Sequence, residues 1–323
     1  GRLNDHLDKG NLNRYRISYL VIDEFDKCLE MGFQDEMSRL VKSLPGLRRH
    51  FLLSATEAEE IPRFVHMGRV EKIDYRMDEE QVPERVHIYK VESPLKDKLE
   101  SLGMLLRSLD DQSTIVFLNY RDSVERTNKY LVEQGFSTSF FHGGLEQKER
   151  EASLYRFSNG SANILVSTDL ASRGLDIPDI DNIIHYHMPE SEDGYIHRVG
   201  RTARWEAQGR AFFLLGPEEH IPEYVAAEVE DYEIPAVEAL PMPAKPKMAT
   251  IYIGKGKKDK ISKGDILGFL CKKGGLNSSE IGKIDVNDRY ANAAIARPKL
   301  RSVLNNVKGE KIKGVKTIVE EVR

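Results

Sequence analysis

The sequence predicts an α/β protein, with parallel sheets covered by helices through its first two thirds and a small α+β domain at its end. Three observations carry this. Short apolar runs alternate with stretches of helical spacing between residues 19 and 214, the pattern of strands that need a crossover helix to run parallel. A stretch at 234–247 holds Pro235, Pro241, Pro243 and Pro246; rings that remove backbone donors bar it from helix or strand interiors. Charge changes sign at the same place. Residues 248–323 carry 17 Lys+Arg against 8 Asp+Glu, and the remainder carries 31 against 44.

The elements follow in order. Residues 19–22 read as a buried strand ending at Asp23. Phe33, Met37, Leu40, Val41 and Leu44 keep helical spacing, and 51–53 is a second strand ending at Ser54. A charged stretch without apolar period, 76–87, then closes an N-terminal piece, 1–75. In a middle domain, 88–233, strands are expected at 114–118, 138–141, 164–166, 183–186 and 210–214, with helices at 124–134 and 147–157. In the tail, 248–323, the expected elements are a strand at 250–254, helices at 263–273 and 278–281, a strand at 290–295, a helix at 299–306 and a strand at 315–320. The tail is read as a β-α-β-β-α-β order, which suggests an RRM-like sheet. Ligands of open parallel sheets gather at the carboxyl ends of strands, and the polar clusters of the first two pieces fall there.

Composition excludes several classes. Apolar residues make up 40% and charged residues 31%, which suits a globular protein in water. No apolar run approaches the roughly 18 residues a membrane span needs. The polar start, Gly1 to His6, lacks a signal-peptide core. Cys28 and Cys271 stand far apart without CxxC spacing, as reduced thiols of a cytoplasmic protein do. A basic tail behind an acidic body points to a polyanion, nucleic acid first; by charge alone a solvated Lys-rich surface serves equally.

Asp23-Glu24-Phe25-Asp26 directly follows a strand. Adjacent carboxylates there can hold Mg²⁺ through its water shell and orient the water that attacks a γ-phosphate; a solvated acidic turn is the simpler reading. Ser54-Ala55-Thr56 at the next strand tip reads equally as a helix N-cap. The middle domain offers Ser167-Thr168-Asp169 running to Arg173-Gly174-Leu175-Asp176, then His197-Arg198-Val199-Gly200-Arg201-Thr202-Ala203-Arg204. Arginines at i, i+3 and i+6 would share one side of a helix, and guanidinium forks fit phosphate oxygens. A basic helix paired with the acidic body is the plainer alternative, but it leaves Gly200 unexplained.

Taken in order, these four motifs resemble those of the DEAD-box RNA helicases. Ile115 to Asn119, His142-Gly143-Gly144, Gln147-Lys148-Glu149-Arg150 and Gly1-Arg2-Leu3 resemble further elements of that family, so the likeness covers nearly all of 1–230. It implies two RecA-like domains, the first incomplete, that use ATP and Mg²⁺. By resemblance, Asp23 contacts Mg²⁺ through water and Glu24 positions the attacking water. Asp26, Ser54 and Thr56 couple the nucleotide site to the domain interface. Gly174 and Asp176 lie at the ribose. Arg201 and Arg204 are fingers toward the γ-phosphate, and His197 and Arg198 tie the interface. Arg2, Gly143, Gly144, Arg150 and Thr168 lie along the RNA backbone. A helix start after Gly143-Gly144 suits phosphate, because its N–H groups are free and carry partial positive charge.

This sequence departs from the family pattern at Phe25 and Ala203, where Ala and Gly are usual. A phenyl ring demands different local packing; Ala203 leaves its neighbouring arginines intact. The Gly-x-x-x-x-Gly-Lys-Ser/Thr loop that cradles phosphates, and the family's adenine-reading Gln element, do not occur among the 323 residues. The chain is accordingly read as an N-terminally truncated piece, weak or inactive as an ATPase by itself.

The tail runs 256–261, 265–268, 281–286 and 309–314 are similar to the RNA-binding domain of the DbpA branch of that family. The resemblance implies docking on a 23S ribosomal RNA hairpin and a role in assembling the large ribosomal subunit precursor, by a monomer without membrane attachment. Lys255, Lys257, Lys258 and Lys260 are the expected phosphate contacts, and Tyr252 and Tyr290 lie where such sheets stack bases. Asn292 stands at a position usually aromatic. An RNA-binding module without catalysis is the alternative function. A DNA helicase on the same scaffold is disfavoured by the Ser-Ala-Thr and His-Arg-x-Gly-Arg forms.

Overall fold

The computed structural model describes every residue except 31, 55–64, 66–69, 74–84, 173–179, 203–207 and 323. It divides into two compact units, Gly1–Met77 and Asp78–Arg323.

The first unit holds α1 (Arg2–Asp8), β1 (Tyr19–Ile22), α2 (Phe25–Glu30), α3 (Gln34–Lys42) and β2 (Arg49–Leu52). β1 and β2 pair in parallel, with Tyr19 opposite Arg49 and Ile22 opposite Leu52. Alternation along β1 turns Leu20 and Ile22 inward, onto Met37 and Val41 of α3. The Asn4 side-chain amide donates to the Glu36 carbonyl at 3.0 Å and Arg39 pairs with Asp8 at 2.6 Å, which holds α1 on α3.

The second unit opens with β3 (Val86–Glu92), α4 (Leu99–Ser108), β4 (Thr114–Phe117), α5 (Arg121–Glu133), β5 (Thr138–Phe141), α6 (Gln147–Ser158), β6 (Ile164–Ser167), β7 (Asn182–His185), α7 (Glu192–Val199), β8 (Gly209–Leu215) and β9 (Val229–Asp231). Its seven strands run β5-β6-β4-β7-β8-β3-β9, every pair parallel. A period of two sends Ile115, Phe117, Leu165, Ile183 and Phe213 to one apolar layer. Val116, Val166, Ile184, Phe212 and Leu214 go to the other, with α4 and α5. Both faces are covered, as an all-parallel sheet requires. β3 begins inside the stretch read as the first linker, because Val86 and Ile88 are claimed by β8, more than 120 positions later. Helix α7 stops at Val199 with Gly200 as its C-cap, so Arg198 and Arg201 do not share one helix face as the spacing suggested. Gly200 sits at the helix end, where a Cβ would come within 3.1 Å of the Ile196 carbonyl oxygen.

The tail comprises β10 (Met248–Ile253), α8 (Lys263–Lys272), β11 (Ile281–Val286), β12 (Ala291–Ala296), α9 (Leu300–Asn306), β13 (Lys311–Ile312), β14 (Val315–Lys316) and β15 (Val319–Glu321). Its sheet runs β11-β12-β10-β15, antiparallel throughout. Ile251, Ile253, Ala293 and Ile295 pack on Ile266 and Leu270 of α8 and Val303 of α9. Among the described residues no helix is long and apolar enough to cross a membrane, and both cysteines are free.

Candidate nucleotide and RNA site

Asp23 and Glu24 stand exposed beyond β1. The Asp23 carboxylate accepts from the Glu24 N–H at 2.9 Å, and Glu24 has a φ of 49°. A side chain in the left-handed region costs about 1–3 kcal/mol and persists where the surroundings demand it. The demand here is a sharp turn between strand and helix. The Phe25 N–H donates to the Leu53 carbonyl at 2.9 Å, while the Phe25 ring, 1% exposed, fills the core with Leu20, Ile22, Met37, Val41 and Val65. Phe25 therefore points away from the two carboxylates and anchors the turn that presents them. Asp26 is buried beside it and Ser54 is exposed past β2. Burial, then the carboxylates of Glu24, Asp26 and Asp23, push the Cys28 thiol up, away from thiolate chemistry.

Among the described residues no three His, Cys, Asp or Glu side chains gather as a metal cage. One or two carboxylates at a strand tip still suit Mg²⁺, which keeps much of its shell as water and takes the rest from phosphate. The donor set fits an ion arriving with a nucleotide.

Arg198 is the largest fully buried side chain of the second unit, 0% exposed. Its Nε and Nη2 donate to the two Asp169 oxygens at 2.5 and 3.1 Å. Nη1 donates to the His187 carbonyl at 2.8 Å, and Nη2 also reaches Asn119 Oδ1 at 2.8 Å. The guanidinium lies 5.2 Å from the Phe117 ring centroid. One side chain thus joins the ends of β4, β6 and β7. Burial, then the Arg198 charge, holds His185 neutral with its pKa well down, stacked on Phe213 at 4.5 Å. His197 Nε2 lies 3.0 Å from Asp193. Arg201 follows in a turn, its N–H donating to the Arg198 carbonyl at 3.2 Å and its carbonyl accepting from Ile180 at 3.3 Å. Thr56, Gly174, Asp176 and Arg204 lie outside the described residues.

The expected RNA-facing residues of this domain meet at adjacent strand ends. β5 and β6 pair from Thr138 opposite Ile164 to Phe141 opposite Ser167. The Thr168 N–H continues that ladder onto the Phe141 carbonyl at 3.2 Å. Arg150, one turn into α6, donates to the carbonyls of Gly143 at 2.6 Å and Leu145 at 3.0 Å, fixing the loop that opens the helix. Arg2 is exposed in α1 of the other unit.

In the tail, Gly256 lets the basic loop approach the strand connection closely. A Cβ there would sit 2.7 Å from the Tyr290 nitrogen and 2.8 Å from that of Arg289. Lys257 and Lys258 donate their N–H groups to the Asn287 and Asp288 carbonyls, each at 2.8 Å. Lys255 is half-buried against Asp259 at 3.2 Å. The hairpin of β13 and β14 turns through Lys313 and Gly314, with φ of 48° and 78°, a type I′ pattern. Lys313 Nζ donates to the Lys260 carbonyl at 3.1 Å and pairs with Asp265 at 2.9 Å. Hydrogen bonds from Ser262 and then Lys313 pull the Asp265 carboxyl down to about 2. The loop and the hairpin are therefore one lysine-rich surface. Tyr252 and Tyr290 stack at 5.6 Å.

Three family models match the chain in sequence order: a DEAD/DEAH box helicase domain over residues 1–64, a helicase conserved C-terminal domain over 97–206, and a DbpA RNA binding domain over 250–321. The ATP-dependent RNA helicase DbpA of Escherichia coli (strain K12) is 34% identical over 322 residues, 97% of this chain and 70% of that protein. The chain belongs to the DEAD-box ATP-dependent RNA helicases. Within them it is of the DbpA type: DbpA of Bacillus subtilis (strain 168) is 30% identical, over 97% of this chain and 71% of its own length. A structure of yeast (S. cerevisiae) Dbp5, described as bound to RNA and ADP BeF3, shares the fold with a TM-score of 0.59 and 22% identity, over 71% of this chain and 63% of that one.

Asp169 and Asn119 stand in the motifs without a role there, and the fold makes them partners of Arg198; Arg121 is in none of the motifs. The Arg121 guanidinium would lie 3.4 Å from a Cβ built on Gly143, beside the loop expected to face RNA. The available signal was position: each follows a strand of the parallel sheet at its carboxyl end. Lys311, Lys313 and Lys316 were missed because only the fold brings them to the loop at 255–260.

Proposed function

We propose that this chain works in ATP-driven remodelling of RNA, with Mg²⁺ as the ion, and that its tail delivers it to a hairpin of large-subunit ribosomal RNA during subunit assembly in the cytoplasm. The observation that carries the target is the tail's lysine surface inside a DbpA-type domain. Lys311 and Lys316 sit directly opposite one another, an arrangement that costs stability and that a polyanion relieves.

Bound Mg²⁺ would neutralise phosphate charge beside Asp23. The exposed Glu24 carboxylate, held in a constrained turn, orients and accepts a proton from the attacking water. Arg201 and Arg204 supply guanidinium charge to the transferring phosphoryl group. Arg198 and Asp169 hold the strand ends from which that arginine segment departs, while Gly143, Gly144, Arg150 and Thr168 line the RNA strand.

Two measurements test this. Binding of the chain to a large-subunit ribosomal RNA hairpin is expected to exceed binding to a scrambled hairpin, with the ratio kept as salt rises. Equal binding that fades steeply with salt would reduce the tail to a general polyelectrolyte grip. In a protein joining this chain to a phosphate-cradling loop, Glu24→Gln is expected to lower RNA-stimulated ATP hydrolysis about 10²-fold. Unchanged hydrolysis would remove Glu24 from the mechanism.

A further inference from the structure

The tail's sheet has two faces, and only one is covered from within. Ala249, Ile251 and Ile253 turn toward α8 and α9. The alternate residues Met248, Thr250 and Tyr252 turn the other way, the face on which an RRM-like sheet ordinarily receives bases. Yet Thr250 is 1% exposed and its cross-strand partner Ala294 is 0% exposed.

What meets this face is α6 of the helicase domain and the turn after it. Thr250 Oγ1 donates to Ser161 Oγ at 2.9 Å and accepts from Asn159 Nδ2 at 3.0 Å. The Met248 N–H donates to the Gly160 carbonyl at 3.3 Å, and the Tyr155 hydroxyl donates to the Lys283 carbonyl at 2.7 Å. Lys148, two residues before Arg150 in the first turn of α6, lies 6.0 Å from the Tyr290 ring centroid. The joint also holds charge: Arg297 pairs with Glu321 at 3.9 Å, and Arg156 feels Arg297 as a like charge and Glu321 as the opposing one. The connecting segment is tied down as well: Arg107 donates to the carbonyls of Leu240 at 2.7 Å and Pro241 at 2.6 Å.

We propose that α6 is the standing seat of the tail's sheet face. On this assignment the Thr250 end of the sheet is closed to RNA, and base stacking is confined to the margin at Tyr252 and Tyr290. The tail moves with the helicase domain as one body. α6 then serves two surfaces: its first turn faces the RNA strand and its last turns carry the second RNA-binding domain. The proposal is independent of which RNA is bound.

The test is energy transfer between single dye pairs in the full chain, with Cys28 and Cys271 replaced by serine and labels at Glu133→Cys and Lys308→Cys. Without RNA or nucleotide, one narrow efficiency population is expected. Thr250→Arg drives a charged chain into the buried contact and is expected to abolish that population in favour of a broad one. Asn159→Arg acts from the helicase side and should do the same without altering the tail's own residues. Glu321→Gln leaves the two arginines facing each other and should give partial broadening that added salt reverses. Circular dichroism checks that each variant is folded. A broad population in the unsubstituted chain, or a folded Asn159→Arg chain with the narrow one intact, would overturn the proposal. Hairpin affinity is read separately, so a failed joint and a failed RNA assignment give different results.

Discussion

Arg198→Ala is expected to destabilise the second unit by about 3–5 kcal/mol, the range found when one partner of a buried ion pair is removed. Four donor contacts vanish at once, to Asp169 twice, to the His187 carbonyl and to Asn119. The Asp169 side chain is 46% exposed, so water takes back part of that charge and the loss belongs at the lower end. The part-buried His187 carbonyl has less such relief, and the cavity left over Phe117 has none. Arg198→Lys keeps the charge but cannot form the fork, and about 2 kcal/mol of loss is expected. Urea unfolding followed by circular dichroism reads both, through the transition of this unit rather than one value for the chain. An Arg198→Ala chain with an unmoved midpoint would show that the strand ends hold themselves. The functional consequence lies three residues on. Arg201 departs from a turn whose first hydrogen bond ends on the Arg198 carbonyl, so loosening Arg198 also displaces the segment expected to reach a phosphoryl group.

How much of this was legible in the sequence depended on the range of the cause. β1, α3, β5 and α6 were readable because periodicity and caps are local. α6, for example, opens with the Glu146 N–H donating to the Glu149 carboxylate at 2.9 Å. β3 was not among the expected strands, and its first two residues fell in the linker, because its pairing partner lies across the domain in β8. The carboxylates at Asp23 and Glu24 were legible as a strand-tip pair, but the inward ring of Phe25 was not; a residue type says how much room is needed, not on which side. Arg198 was read as an interface residue from its motif. Its interior position follows from Asp169, Asn119 and His187, which three different strands bring together. Burial of the tail's sheet face was invisible for the same reason. Thr250 looks like an ordinary strand residue until Asn159 and Ser161 are placed against it.

The largest change in RNA affinity is expected from Lys257, Lys260, Lys311 and Lys316 replaced together by alanine. All four are exposed, and none has an ion-pair partner among the described residues. Lys258 and Lys313 are already committed, to Asp288 at 3.7 Å and Asp265 at 2.9 Å. Each phosphate neutralised contributes about 0.7–0.9 to the slope of log affinity against log salt. Losing four such contacts should therefore flatten the slope by about 3. At moderate salt the affinity should fall roughly 10²–10³-fold, about 3–4 kcal/mol. Phosphate contacts position without reading sequence, so the quadruple variant should lose affinity for true and scrambled hairpins alike and leave their ratio nearly unchanged. Lys258→Ala, which gives up a partly compensated charge, should cost less than about threefold. A loss confined to the true hairpin would instead make these lysines readers of shape or sequence. No loss at all would move the RNA off this surface and back toward the Tyr252–Tyr290 margin, where Tyr290→Ala would then become the decisive substitution.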